Sequence, residues 1–437
     1  MGVIHVGSVD PPAKLEGSAP RGADLGVQAV RERAARRITG GLFVSQSLGS
    51  AGIIASATVA AIVGAEMSGR PALAGVTAAV SQVGAALAAL YWSRRSDVLG
   101  RAVALPLSLV VGAFGALLAA AGVATASFAL VLVGLGLSGS GIAGLQLGRF
   151  VAAEVNPKAR RARAIAMVVL GGTVGSVLGP ALVAPSGELV RAWGFDVTAG
   201  PYLGTAFGFM LTALLLFATL RPEPRRIAEA IAAADPDVQD QLPARSRAEL
   251  LRDPSVRTAI ASVVTAHMVM IGLMQMTSLH MHGHHHPLTS ISIVFSSHTL
   301  GMFAFSVVSG WLTDRWGRRP VLGTGAALLV VACLSAQLSL NVLPIAVSLF
   351  LLGLGWNLCY VAGTALLSDT LKPSERGRIQ GFNDLLVGGA AAAAALLGGT
   401  LMAAVGYGTM GLIAAAIAAP LLVVVARLPK AVRPALP

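Results

Sequence analysis

The chain has 437 residues, of which 55% are hydrophobic and 12% charged, and its 32 Lys and Arg against 20 Asp and Glu give a formal net charge of +12. Apolar runs of about 20 residues, each able to cross a hydrocarbon core of ~30 Å, recur along its length and exclude a water-soluble globular domain. The 2 cysteines argue against a disulfide framework, and no GxxxxGK[ST] loop supports direct ATP drive.

Residues 1–37 are polar, rich in Gly, Pro and charge, and carry RERAARR; they are expected to form a disordered cytoplasmic tail. They precede a 25-residue apolar run with no small-residue cleavage site, which argues against a cleaved signal peptide. Twelve spans are predicted, at 41–65, 72–92, 103–123, 127–149, 164–184, 201–220, 257–280, 290–312, 320–340, 343–368, 382–404 and 409–428. The expected fold is an all-α membrane protein of twelve transmembrane helices in two pseudo-symmetric six-helix bundles, 38–220 and 257–428. A cytoplasmic linker, 221–256, joins them, and 429–437 forms a second cytoplasmic tail.

Lys and Arg are retained on the cytoplasmic side, so their distribution sets the orientation. With the N-terminus inside, the inner loops hold Arg94, Arg95, Arg101, Lys158, Arg160, Arg161, Arg163, Arg315, Arg318, Arg319, Lys372, Arg376 and Arg378, whereas the outer loops hold only Arg70 and Arg191. This bias is expected to place both termini in the cytoplasm. It also explains the positive charge through the anionic inner leaflet, without nucleic acid. The chain is expected to work as a monomer, with no prosthetic group and no catalytic residues.

The two halves repeat short signals. Asp97, Gly100 and Arg101 recur as Asp314, Gly317 and Arg318 at an offset of 217, and Glu154 with Arg161-Ala-Arg163 recurs as Asp369 with Arg376-Gly-Arg378 at 215. An internal repeat of this kind marks a transporter built around a site between two bundles. Gly310-Trp-Leu-Thr-Asp314-Arg315-Trp-Gly317-Arg318-Arg319 resembles the signature loop of the major facilitator superfamily; Ser93-Arg-Arg-Ser-Asp97-Val-Leu-Gly100-Arg101 is a degenerate copy lacking the opening Gly and the Arg after Asp. The resemblance implies a cytoplasmic gate formed by Asp97, Arg101, Asp314 and Arg318 that steadies the outward-open state.

Seven of the eight histidines and six of the twelve methionines fall within 266–302. Thioether and imidazole suit soft ions such as Cu(I), with no need for a carboxylate, whereas Zn²⁺ or Ni²⁺ calls for harder or anionic ligands. Met270 and Met274 stack on one face of span 7, and His298 and Met302 on one face of span 8. In an antiparallel hairpin centred on His286, Met302 matches Met270 in depth and His298 matches Met274. At 1.5 Å per residue, His298 lies roughly 12 Å and Met302 roughly 18 Å below the outer end of span 8, near mid-bilayer. An ionisable side chain at that depth needs a partner or a function.

MxxxM in span 7 with HxxxM in span 8, spaced by 28 residues from Met270 to His298, resembles the CcoA-like copper transporters, as does Thr277…Leu279-His280-Met281…Gly283-His284. Those are bacterial importers that deliver copper toward haem–copper oxidase assembly. The resemblance implies copper import, with Met270, Met274, His298 and Met302 as transport ligands. His280, Met281, His282, His284, His285 and His286 form a candidate capture site on the outer turn, and His267 and Met276 extend a candidate relay.

Asp384, near the start of span 11, is a candidate proton carrier, and Arg149 a candidate gating partner for Glu154 or Asp97. Cys333 and Cys359, in spans 9 and 10, are expected as buried small hydrophobes rather than a disulfide, although Cys359 could contact a soft ion. Other readings stay open: a nickel or zinc transporter, a membrane metal sensor, or a proton-coupled drug or metabolite antiporter. The last draws on Gly171-Gly-Thr-Val-Gly175-Ser-Val-Leu-Gly179-Pro180, part of an antiporter motif without its downstream glycines.

Overall fold

A backbone inside hydrocarbon has no water to bond, so each crossing segment must satisfy its own N–H and C=O groups, and the apolar runs therefore become helices. The computed structural model describes residues 22–234, 245–371 and 373–428. Eleven helical segments are long and apolar enough to span: Val30–Ser68, Pro71–Leu99, Arg101–Ala124, Phe128–Glu154, Arg163–Arg191, Ala199–Thr219, Pro254–Gly283, Leu288–Trp316, Arg318–Ser335, Val342–Thr370 and Ile379–Ala426. The last is two helices joined at Gly406, which is non-helical at φ 76°, ψ 168°, so it supplies spans 11 and 12.

Three local departures from the sequence expectations have plain causes. The first helix begins at Gly22, so the part of the expected tail over 22–37 is helical; 1–21, 235–244 and 429–437 lie outside the described residues. Ala, Arg and Glu are strong helix formers, Glu32 pairs with Arg36 one turn on at 3.2 Å, and Ala35 and Ile38 are buried against the first bundle. In span 5 the α-helix stops at Leu178 before Pro180, and a second helix runs from Val183 to Arg191. The linker holds a helix at Pro224–Ala234 and a short one at Arg247–Leu250.

The linker is fastened at both ends. The Glu223 carboxylate accepts from the backbone N–H of Arg101 (2.6 Å) and Ala102 (3.1 Å), capping span 3, where a negative charge suits the helix dipole. Arg245 donates to both oxygens of the buried Glu375, at 3.0 and 2.8 Å, and this hydrogen bonding raises the guanidinium pKa further above its ordinary value.

The repeat in the sequence is a repeat in space. Arg101 reaches Asp97 at 2.9 Å and Glu154 at 3.2 Å; Arg318 reaches Asp314 at 3.2 Å and Asp369 at 2.8 Å. Each Arg follows a glycine in the same conformation, Gly100 at φ 82°, ψ 160° and Gly317 at φ 92°, ψ 163°, a region open essentially to glycine alone. The side chains of Arg161, Arg376 and Arg378, the other repeated basic positions, lie outside the described residues.

The two bundles meet most closely at the end that carries the histidine turn. A Cβ on Gly75 would overlap the Ala395 carbonyl, and one on Gly399 would stand 2.7 Å from the Ala72 carbonyl, so spans 2 and 11 touch backbone to backbone. His282 Nε2 lies 2.6 Å from Glu66 Oε1 across the same seam. At the basic end, the ion pair joining the bundles among the described residues is Arg149 with Asp384, at 3.5 Å and with 37 and 59% of the side chains exposed. The two bundles are thus joined by backbone packing at one end and by an exposed ion pair at the other.

Replacing Gly317 or Gly100 by Ala forces a side chain into a glycine-only conformation and should cost about 1–3 kcal/mol, read as a lower melting temperature in detergent. Gly75→Val should open the histidine end. Spin labels at Arg70 and Val405, on the two bundles, should then show longer distances, and an unchanged distribution would mean that this contact does not set the seal.

Candidate functional site

Between the bundles lies a cavity of about 220 Å³ whose walls come from spans 1, 2, 4, 6, 7 and 11. Its polar groups include Ser56, Gln82, Ser138 and Thr205 on the first bundle and Gln275 on the second, beside Met274. No charged side chain lines it. Ser56 and Thr205 hydrogen-bond each other, whereas Gln275 is buried and its Oε1 has no hydrogen-bond partner. A buried amide oxygen without a donor is costly, so this atom is available to a ligand or to water.

The four sequence-predicted metal ligands share one region but not one wall. Met270, Met274 and Met302 belong to a single buried apolar cluster with Met276, Met281, Trp356 and Cys359. Only Met274 of the four lines the cavity. The expected hairpin of directly packed spans is corrected: spans 7 and 8 have little contact with each other, and each packs along span 10 instead. His298, fully buried, lies against that helix with Nδ1 at 2.8 Å from the Leu349 carbonyl. A carbonyl can only accept, so Nδ1 carries the proton and Nε2 keeps its lone pair. That Nε2 is buried and has no partner. An imidazole fixed through one nitrogen with the other left open is the usual state of a metal ligand.

His267 stands in the opposite state. Its Nδ1 accepts the indole N–H of Trp356 at 3.0 Å, so the neutral ring carries its proton on Nε2 and offers no lone pair to a metal. The relay expected through His267 is therefore not supported by its tautomer.

The histidines of the turn also have partners within the protein, and the rings of His280 and His284 meet edge-on with centroids 4.4 Å apart. His280 stacks on Tyr407 with centroids 4.3 Å apart, His282 meets Glu66, His284 Nδ1 donates to the His280 carbonyl at 2.8 Å, and His286 Nε2 donates to the Leu340 carbonyl at 3.0 Å. Among the described residues no three of His, Cys, Asp and Glu converge as a metal site. Met276 packs toward Gly398 of span 11, and Met281 is buried in the apolar cluster.

The remaining candidates also find definite places. Cys333 and Cys359 are buried as expected of small hydrophobes, and Cys359 directs Sγ toward the Leu322 carbonyl of span 9 and does not line the cavity. Arg149 pairs with Asp384 in place of Glu154 or Asp97, because Arg101 already holds both of those carboxylates. Asp97, Arg101, Asp314 and Arg318 form the two intra-bundle clusters at the basic end. Residue reading missed Gln82, Gln275, Trp356 and Asn357. Each is a polar or indole group inside an apolar span, which was the available signal.

Comparison with known proteins places this geometry. The model of the Major Facilitator Superfamily matches residues 42–290 and 277–437. The chain is 32% identical over 374 residues to the uncharacterized MFS-type transporter YdeG of Bacillus subtilis, covering 85% of this chain and 86% of that one. It is 30% identical over 377 residues to the riboflavin transporter RfnT of Brucella anthropi, covering 86% and 92%. Among solved structures, a bacterial homolog of the human lysosomal transporter Spinster, inward-facing and unoccupied, superposes with a TM-score of 0.65 at 16% identity over 90% of this chain and 94% of that one. Two six-helix halves, a repeated Asp–Gly–Arg loop and an uncharged cavity between them are thus joined by whole-chain likeness: this chain belongs to the major facilitator superfamily of membrane transporters.

Proposed function

We propose that this carrier imports Cu(I) across the bacterial cytoplasmic membrane by alternating access, with both termini in the cytoplasm and the monomer as the working unit. The observation that carries the reading is the buried His298 ring, held by the Leu349 carbonyl with its Nε2 lone pair unpartnered in a region rich in thioethers. A monovalent soft ion bound by Met270, Met274, Met302 and His298 needs no neutralising carboxylate, which fits a site without one. Met274 is the ligand that meets the cavity, and the other three would take the ion as spans 7, 8 and 10 rearrange.

Proton coupling is assigned to Asp384, whose pairing with Arg149 across the basic end would break on protonation and free the bundles to part. The clusters of Asp97 with Arg101 and Asp314 with Arg318 gate the same end, now the cytoplasmic one. A second reading has its own support. The amide and hydroxyl wall at Gln82, Ser138 and Gln275 suits an uncharged organic solute, and the relative in Brucella anthropi is named a riboflavin transporter.

Uptake into proteoliposomes of Cu(I), Ni²⁺, Zn²⁺ and riboflavin separates these readings. Cu(I) should enter, and Ala at Met274 or His298 should lower the rate tenfold or more, while Met276→Ala leaves it near wild type. Wild-type uptake in all four single Ala variants of the ligand set would sink the copper reading. Uptake of riboflavin alone, lost in Gln275→Leu, would establish the other. Asp384→Asn should abolish the response of uptake to an imposed pH gradient while leaving cargo binding intact.

A further inference from the structure

Span 8 is not one helix. Its first part ends at Phe303, its second begins at Ser306, and Ala304 and Phe305 form a turn between them, with Phe305 at φ −97°, ψ 6°. No proline lies at the break, so its cause must be sought in a neighbour. That neighbour is Asn357 of span 10, 2% exposed. Its Nδ2 donates to the Met302 carbonyl at 2.6 Å and to Ser306 Oγ at 2.9 Å, and its Oδ1 accepts from the Ser309 hydroxyl. One amide therefore holds the last turn of the outer half and the first turn of the inner half.

The other bundle gives an internal control. The offset of 217 puts Leu87 and Ala88 where the break falls, and span 2 runs unbroken there from Val76 to Leu99. The offset of 215 puts Ile142 at the position of Asn357. Break and amide occur together in one half and are both missing from the other, so the superfamily fold does not require them.

We propose that the Ala304–Phe305 turn is a hinge in span 8 and that Asn357 is its positioning residue. The hinge separates a half carrying His298 and Met302 from a half that carries Asp314 in its last turn, so it links the state of the central site to the cytoplasmic cluster around Arg318. Swinging the inner half exchanges amide bonds at Ser306 and Ser309 while the bond to the Met302 carbonyl keeps the outer half in place. The idea rests on the transport reading only for its turnover measurement.

The test combines kinetics with amide hydrogen exchange on the full chain in nanodiscs. Asn357→Leu, which keeps the branching at Cγ but makes no hydrogen bonds, should lower turnover tenfold or more with KM within twofold. Exchange over 303–309 should speed up tenfold or more with no cargo present. Asn357→Gln should recover part of the turnover. Should Asn357→Leu fail to fold, Ser309→Ala removes one hydroxyl and should lower turnover severalfold with KM unchanged. Wild-type turnover in these variants, a raised KM with turnover kept, or unaltered exchange would each overturn the hinge. The exchange readout needs no cargo, so a carrier that moves riboflavin and not Cu(I) would defeat the copper reading and leave this one standing.

Discussion

A polar group inside hydrocarbon must find its partner within the protein, and the informative features of this carrier follow from that demand. It turns twelve apolar runs into helices, and it then sorts the polar residues those runs contain. His267 is satisfied by Trp356, Thr277 by Tyr407, and the Met302 carbonyl by Asn357. Among the described residues eight buried side-chain N and O atoms have no partner, and Nε2 of His298 and Oε1 of Gln275 are two of them.

The two ends of the molecule are held by different physics. Backbone packing between spans 2 and 11 excludes water over a broad seam and can be undone only by moving whole helices. An exposed ion pair such as Arg149 with Asp384 contributes little, on the order of 0–1 kcal/mol, and is weakened by salt. The firm closure can open only if helices move apart, whereas the light one depends on a single pair of side chains.

Pseudo-symmetry provides a means of separating structure from function. Where the halves agree, as in the Arg101 and Arg318 clusters with their paired glycines, the residues hold the same turn in the same shape. Where they differ, one half has taken on a task of its own. The thioethers and imidazole of spans 7 and 8, and the amide at 357 facing a broken helix, all belong to the second half.

Much of this was legible in the linear chain, because hydropathy fixes where helices cross and the offset of 217 fixes which turns correspond. Spacing also brought Met270, Met274, His298 and Met302 to similar depth. Depth is a one-dimensional property, however, and adjacency in sequence did not make spans 7 and 8 neighbours. Span 10 packs against both, and only the folded chain shows it. Tautomer and partner were equally beyond the sequence: His267 and His298 are the same residue type in similar apolar surroundings, yet an indole N–H closes one and a carbonyl leaves the other open. Sequence determined which atoms are present at each level of the membrane; tertiary contacts decided which of them are already bonded, because a hydrogen bond depends on what stands opposite.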